Sequence, residues 1–245
     1  MTTTETTEPW NTGRQKVKGV LFDFSGTLFR IESTASWLRT ALGRSGIRLP
    51  EEEFAELVRR LEEAGALPGG VAPRAVPPHL AEAWAGRDRS REEHRAAYVG
   101  VARQVPLPDP ALYDVLYARH MEPAAWCPYA DAAEVLGELR RRGIRTAVVS
   151  NIGWDLRPVF REHGLDELVD AYVLSYEHGV QKPDPQLFRA ACEALGVPPG
   201  QALMVGDDPR ADAGAAGIGC AVRLVEHLPV QERPRGLLPV LDLVG

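Results

Sequence analysis

Lysine is almost missing from this 245-residue chain. Lys16, Lys18 and Lys182 are the only three, and the rest of the 28 basic residues are arginines. The skew points to coding bias and not to function, but it limits the cationic chemistry each segment can supply. Cysteine is scarce as well. Cys127, Cys192 and Cys220 are widely spaced, form no CxxC pair and match no zinc pattern, which suits a reducing compartment. No stretch approaches the roughly 18 apolar residues of a membrane helix. The net charge is −6 with no strongly basic run, so neither nucleic acid nor a membrane is an expected partner. The opening MTTTETTEPWNTGRQ lacks the charged-then-apolar layout of a signal peptide. Residues 1–15 are expected to form a disordered tail, and the protein to be soluble and cytoplasmic, as a monomer or homodimer.

What is present is ordinary globular composition, 44% hydrophobic and 25% charged, at a length that fits one generous domain or two modest ones. Val17–Asp23 is a short apolar run ending in an acid, the pattern of a strand buried on both faces. Similar runs recur at Thr146–Asn151, Ala202–Asp208 and Cys220–Val225, with a weaker one at Ala171–Tyr176. Helical patterns separate them. Ala130–Arg142 carries Ala133, Val135, Leu136 and Leu139 at helical spacing, with arginines near its end and Gly143 as the stop. Asp155–His163 and Pro185–Leu195 read as two more helices. This alternation predicts an α/β fold with a doubly wound parallel sheet, whose functional groups collect at the carboxyl ends of the strands. Asp23, Ser150–Asn151 and Asp207–Asp208 all fall there.

Residues 31–124 break the rhythm. Glu51–Ala66 places Phe54, Leu57, Val58 and Leu61 on one face, Pro68–Pro78 reads as a loop, and Arg91–Val101 and Ala111–His120 are helix candidates. Such an insertion is too long for a simple loop. It is expected to be a mostly helical cap over a core made of 16–30 and 125–245.

Four segments carry chemistry. Asp23-Phe24-Ser25-Gly26-Thr27-Leu28 sets a carboxylate at a strand end beside a Gly-Thr turn able to hold phosphate oxygens. Ser150 and Asn151 offer a hydroxyl and an amide. Lys182, in GVQKPDPQLF, offers a point charge. Asp207, Asp208 and Asp212, in GDDPRAD, suit a hard, oxygen-seeking cation such as Mg²⁺. Each alone has an ordinary reading as a turn, a solvated lysine or a helix cap; together, in this order and at these strand ends, they point to a site.

These segments resemble the signature of the haloacid dehalogenase-like (HAD) hydrolase superfamily: DxDGT[LV], a strand-ending Ser or Thr, a lysine in a KPDP context, and GDxxxxD. LRRRGIRTAVVSN and VGDDPRADAGAAGIG look like the helical-cap (C1) subfamily I. The resemblance implies a Rossmann-like core with a mobile cap and a Mg²⁺-dependent phosphatase acting on a small phosphorylated metabolite. Asp23 would be the nucleophile and would hold Mg²⁺ with Asp207 and the Ser25 carbonyl, supported by Asp208 and Asp212. Thr27, Ser150 and Asn151 would bind phosphoryl oxygens, and Lys182 would pair with Asp23 and the phosphoryl group.

One position departs from the family. Its phosphatases place an acid–base aspartate two residues after the nucleophile, where this chain has Ser25. A serine hydroxyl is a poor general acid and base, and losing such a group typically costs about 10²–10⁴-fold. His94, Tyr98, Arg91 and Arg95 are candidates for a substitute relay. Two alternatives stand beside the phosphatase: a dehalogenase-like hydrolase, and a binding or regulatory protein of weak activity. A phosphonate-cleaving role is excluded, because the cap lysine that branch uses has no counterpart in residues 30–125.

Overall fold

The computed structural model describes residues 16–244, so the tail expected over residues 1–15 lies outside the described residues. β1 (Gly19–Phe22) delivers Asp23. A short antiparallel ribbon of β2 (Phe29–Ile31) and β3 (Trp126–Pro128) then brackets five helices: α1 (Thr34–Arg44), α2 (Glu51–Glu63), α3 (Ala81–Ala85), α4 (Arg91–Ala102) and α5 (Leu112–His120). The chain continues through α6 (Ala132–Arg141), β4 (Arg145–Ser150), α7 (Arg157–Glu162), β5 (Ala171–Leu174), α8 (Ser175–His178), α9 (Pro185–Leu195), β6 (Ala202–Gly206), β7 (Ala221–Leu224) and α10 (Val240–Leu243). Five strands form one parallel sheet in the order β5-β4-β1-β6-β7, so β1 is central. No helix among the described residues is long and apolar enough to cross a membrane.

Alternation along β1 divides the core. Val20 and Phe22 pack with Val135, Leu136 and Leu139 of α6 and Phe160 of α7, whereas Leu21 packs with Leu187, Phe188 and Ala191 of α9. Helices therefore cover both faces, as the double-sided apolar runs require. The boundaries of α9 follow from local chemistry. Asp184 accepts a hydrogen bond from the Gln186 N–H at 2.8 Å, Pro185 opens the first turn, and Gly196 closes the helix in the left-handed conformation at φ 63°.

Two features of the insertion differ from the sequence expectation. α1 forms where no helix was assigned; Ser33 caps it and Trp37, Leu38, Ala41 and Leu42 are its buried face. β2 and β3, three residues each, pair as a two-stranded antiparallel ribbon at the two ends of this helical stretch.

The insertion meets the core through a buried aromatic cluster that includes His94, Tyr117, His120 and Trp154. Both ring nitrogens of His120 lack a hydrogen-bond partner, and burial pushes its imidazole from an ordinary 6.5 down to about 3. The folded state thus binds fewer protons than the unfolded chain. This contribution is intact above pH 6.5 and is lost as pH falls below it. Two pH units further down, His120 alone should cost about 2–3 kcal/mol. Urea unfolding near pH 6.5 and two units lower should show His120→Phe losing less stability than wild type by that amount. Equal losses in the two proteins would show that His120 does not govern acid sensitivity.

Candidate active site

Because β1 is central, the residue after it lies between the ends of β4 and β6. Asp23 follows β1, Ser150 ends β4, and Asp207 follows β6. The turn after Asp23 is closed by backbone bonds from Gly26 N–H to Phe29 C=O at 2.7 Å and from Phe29 N–H to Phe24 C=O at 2.9 Å. Gly26 has φ 83°, and a Cβ there would lie 2.4 Å from Asp207 Oδ2, so only glycine fits. The turn is braced from far along the chain. Arg233, 4% exposed, donates from Nη1 to the Gly26 carbonyl at 2.6 Å and from Nη2 to the Thr27 carbonyl.

Lys182 is 3% exposed, and its Nζ donates to Asp23 Oδ1 and Asp212 Oδ1, both at 2.6 Å. Its backbone is fixed by Asn151, whose Oδ1 accepts from Lys182 N–H at 2.6 Å and whose Nδ2 donates to the Lys182 carbonyl at 3.0 Å. Asp212 Oδ2 accepts from the Asp208 N–H at 2.9 Å. Asp23, Asp207 and Asp212 each place a carboxylate oxygen within 4.8 Å of the others. Burial pulls the Lys182 ammonium down, but Asp212 and Asp23 outweigh it and hold the group above its ordinary value. Burial pushes the Asp23 carboxyl well up; Lys182 opposes this and Asp212 and Asp207 add to it. Three clustered carboxylates share one ammonium, so the site is short of positive charge.

The sequence-expected residues all reach this region, with different duties. Asp23, Lys182 and Asp212 touch one another. The Thr27 hydroxyl is fully buried and donates to Asp207 Oδ1 at 3.4 Å. Ser150 lines the cavity, as does Ser25, whose Oγ is buried without a partner. The Asn151 amide is engaged at both ends by Lys182. Asp208 is exposed and accepts from the Arg210 and Ala211 N–H groups, which caps the turn before Asp212. Of the relay candidates, His94 and Tyr98 line the cavity, whereas Arg91 bonds to Tyr176 and Arg95 to Asp114 on the exposed surface.

Sequence reasoning missed several residues. Arg30 contacts His227 Nε2, and His227 Nδ1 contacts Asp207 Oδ2. Arginine only donates, so Nε2 accepts and the Nδ1–H donates to Asp207. Burial raises Asp207, but the hydrogen bond from His227, helped by the Lys182 charge, holds it below its ordinary value. Arg30 also donates to the Gly69 carbonyl at 3.0 Å, in the loop after α2. That loop, together with Trp84, Arg87, Asp88, His94 and Tyr98, roofs a cavity of about 210 Å³ whose floor holds Asp23 and Lys182.

A strand-end carboxylate paired with a buried lysine inside an acidic cluster, on a doubly wound sheet, defines a class of α/β hydrolases. The haloacid dehalogenase-like hydrolase family matches residues 17–217, and the chain belongs to it. Over 207 residues it is 30% identical to the ribulose-1,5-bisphosphate 5-phosphatase of Halopiger xanaduensis, covering 82% of this chain and 81% of that one. A stretch of 89 residues is 43% identical to the phosphoserine phosphatase of Thermus thermophilus but spans only 36% of each protein. A crystal structure described as a dehalogenase with intermediate complex shares the fold at a TM-score of 0.66 and 21% identity, covering 94% of this chain and 97% of that one. Proteins named as phosphatases are thus among its relatives, and one named as a dehalogenase shares its fold.

Proposed function

We propose that the protein is a Mg²⁺-dependent phosphatase that hydrolyses a small phosphorylated metabolite through an aspartyl-phosphate on Asp23. The observation that carries this reading is the Asp23–Lys182 contact of 2.6 Å at the floor of a cavity of about 210 Å³. Asp23 is the group placed to attack phosphorus. Lys182 neutralises both the attacking carboxylate and the incoming phosphoryl oxygens, and Asp212 keeps the ammonium in place. Ser150, which lines the cavity, orients those oxygens. Asn151 holds Lys182 from behind. The helices of residues 31–124 act as the cap that excludes water and limits substrate size, the cavity suiting a small ester.

The donor set fits Mg²⁺: hard carboxylate oxygens, clustered, with a deficit of positive charge. Asp23, Asp207 and the Ser25 carbonyl would hold it, with Asp212 behind them, and His227 orients Asp207. When bound, the ion supplies charge neutralisation and orientation of the phosphoryl group.

Millimolar Mg²⁺ should raise the melting temperature, by binding only the folded state, and Asp207→Asn should remove most of that rise. A panel of phosphate monoesters should release phosphate with Mg²⁺ and not with EDTA. Metal-independent chloride release from 2-haloacids, with an unchanged melting curve in Mg²⁺, would replace this reading by the dehalogenase one.

A further inference from the structure

Ser25 leaves this site without the carboxyl group that would protonate a leaving oxygen, and among the described residues the insertion places one buried carboxylate, Asp88, in the lining of the same cavity. We propose that Asp88, from the insertion, is the proton-transfer residue of this hydrolase. The proposal rests on the phosphatase reading above.

Asp88 is 3% exposed and lines the cavity that holds Asp23 and Lys182. It lies between α3 and α4, in a segment fastened to the core at three points. The Ser175 hydroxyl donates to the Asp88 carbonyl at 2.5 Å, the Asp88 N–H donates to Gln181 Oε1 at 3.3 Å, and Gln181 Nε2 donates to the Ala85 carbonyl at 2.8 Å. Ser175 also accepts from the Ile152 N–H at 2.9 Å, and Gln181 immediately precedes Lys182. The clamp therefore ties Asp88 to the two loops that carry Ser150, Asn151 and Lys182. A residue needed only to begin α4 would not require this, and Ser90 already caps that helix.

Among the described residues the carboxylate accepts no hydrogen bond, although Arg87 pairs with it as an ion. Arg87 Nε stands 3.5 Å from Asp88 Oδ2 but donates to no acceptor, and His94 Nε2 is 3.9 Å from Oδ1. A buried carboxylate without close donors is costly unless something else completes it. The groups facing it are Arg87, His94, Tyr98 and Tyr117 from the insertion and Lys182 from the core. Burial raises the Asp88 carboxyl above its ordinary value, against the pull of Arg87 and Lys182. That direction favours a group able to arrive protonated.

The steps balance. Asp23 Oδ attacks phosphorus as the bond to the ester oxygen breaks, and the Asp88 proton passes to that oxygen, releasing the alcohol. Asp88, now ionised, takes a proton from water as the water oxygen attacks phosphorus. The bond from phosphorus to Asp23 breaks, phosphate leaves, and Asp88 is again protonated.

Rapid-quench kinetics on wild type and Asp88→Asn test this, with p-nitrophenyl phosphate and a panel of small alkyl phosphates that includes phosphoserine, all in Mg²⁺. Thermal melting checks that the variant is folded. An aryl leaving group needs no proton, so Asp88→Asn should keep a fast burst of nitrophenol while its steady state falls by about 10²–10⁴-fold. With alkyl esters the burst itself should disappear. The acid limb of the kcat–pH profile should vanish, because breakdown of the aspartyl-phosphate no longer waits on an ionised Asp88, and Asp88→Glu should restore part of the rate. An unchanged steady state in Asp88→Asn, burst and steady state falling together, or a wild type confined to aryl esters would each overturn the proposal while leaving Asp23 as nucleophile. A wild type that hydrolyses no ester in Mg²⁺ overturns the phosphatase reading and this proposal with it.

Discussion

Asp23→Asn is expected to abolish turnover while leaving the protein folded. The substitution keeps the shape of the side chain and removes only its nucleophilic charge. Loss of a nucleophile or its close partner lowers kcat on the order of 10⁴–10⁶-fold in hydrolases that depend on one. Folding should survive, because the Lys182 ammonium keeps Asp212 as a partner at 2.6 Å. Burial already disfavours the charged form of Asp23, so neutralising it relieves desolvation and the repulsion from Asp207 and Asp212. Steady-state phosphate release, mass spectrometry for a trapped phosphoryl adduct and a melting curve form the test. Equal rates in the two proteins would dismiss Asp23 as the nucleophile.

Lys182→Met should have the largest effect on stability. Among the described residues the lysine is the one cation touching both Asp23 and Asp212, at 2.6 Å each, and all three side chains are buried. Removing one partner of a buried ion pair leaves an uncompensated charge, which typically costs about 3–5 kcal/mol. Activity should fall as well, since in the proposed mechanism Lys182 neutralises the repulsion between Asp23 and the substrate. Mg²⁺ should recover more stability in Lys182→Met than in wild type, because the ion then supplies the missing charge. Lys182→Arg should not substitute, as a planar fork does not fit where one point charge meets two carboxylates. Denaturant titrations of the three proteins with Mg²⁺ and with EDTA decide this. A Lys182→Met curve within about 1 kcal/mol of wild type would mean that Asp23 and Asp212 are stabilised by other means.

The parts of this architecture that were legible in sequence are those fixed by neighbours along the chain. The sheet strands appear as short apolar runs because burial on both faces demands them, and the polar residue ending each run marks the loop beyond. α9 was readable to the residue because Asp184, Pro185 and Gly196 are local signals. α1 was not, because its first turn carries no acid and its apolar face is interleaved with arginines and small residues. β2 and β3 are too short for any periodicity to register.

The site divides in the same way. Asp23 and Asp207 stood out because they follow strand ends, and Lys182 and Asp212 because they sit in the KPDP and GDxxxxD patterns. Asp88, Arg30, His227 and Arg233 did not, because their relevance comes from contacts across long separations. Asp88 meets Gln181, Arg30 meets His227, and Arg233 meets Gly26, at sequence separations of 93, 197 and 207. Asn151 illustrates the middle case. Its residue type and position marked the site, but that its amide would be occupied by the Lys182 backbone was visible only in three dimensions.

The bracing of the nucleophile turn by Arg233 bears on how the protein is made. Translation delivers β1 and Asp23 first, yet β1 has no partners until β4 and β6 exist, and the carbonyls of Gly26 and Thr27 receive their guanidinium only after residue 233 has been added. Contacts of such long range close late in folding, since the intervening chain must be ordered before they form. A nascent chain therefore carries Asp23 without the brace of its turn until residue 233 has been added. An interrupted product ending before that arginine would keep every sequence motif and lack the brace.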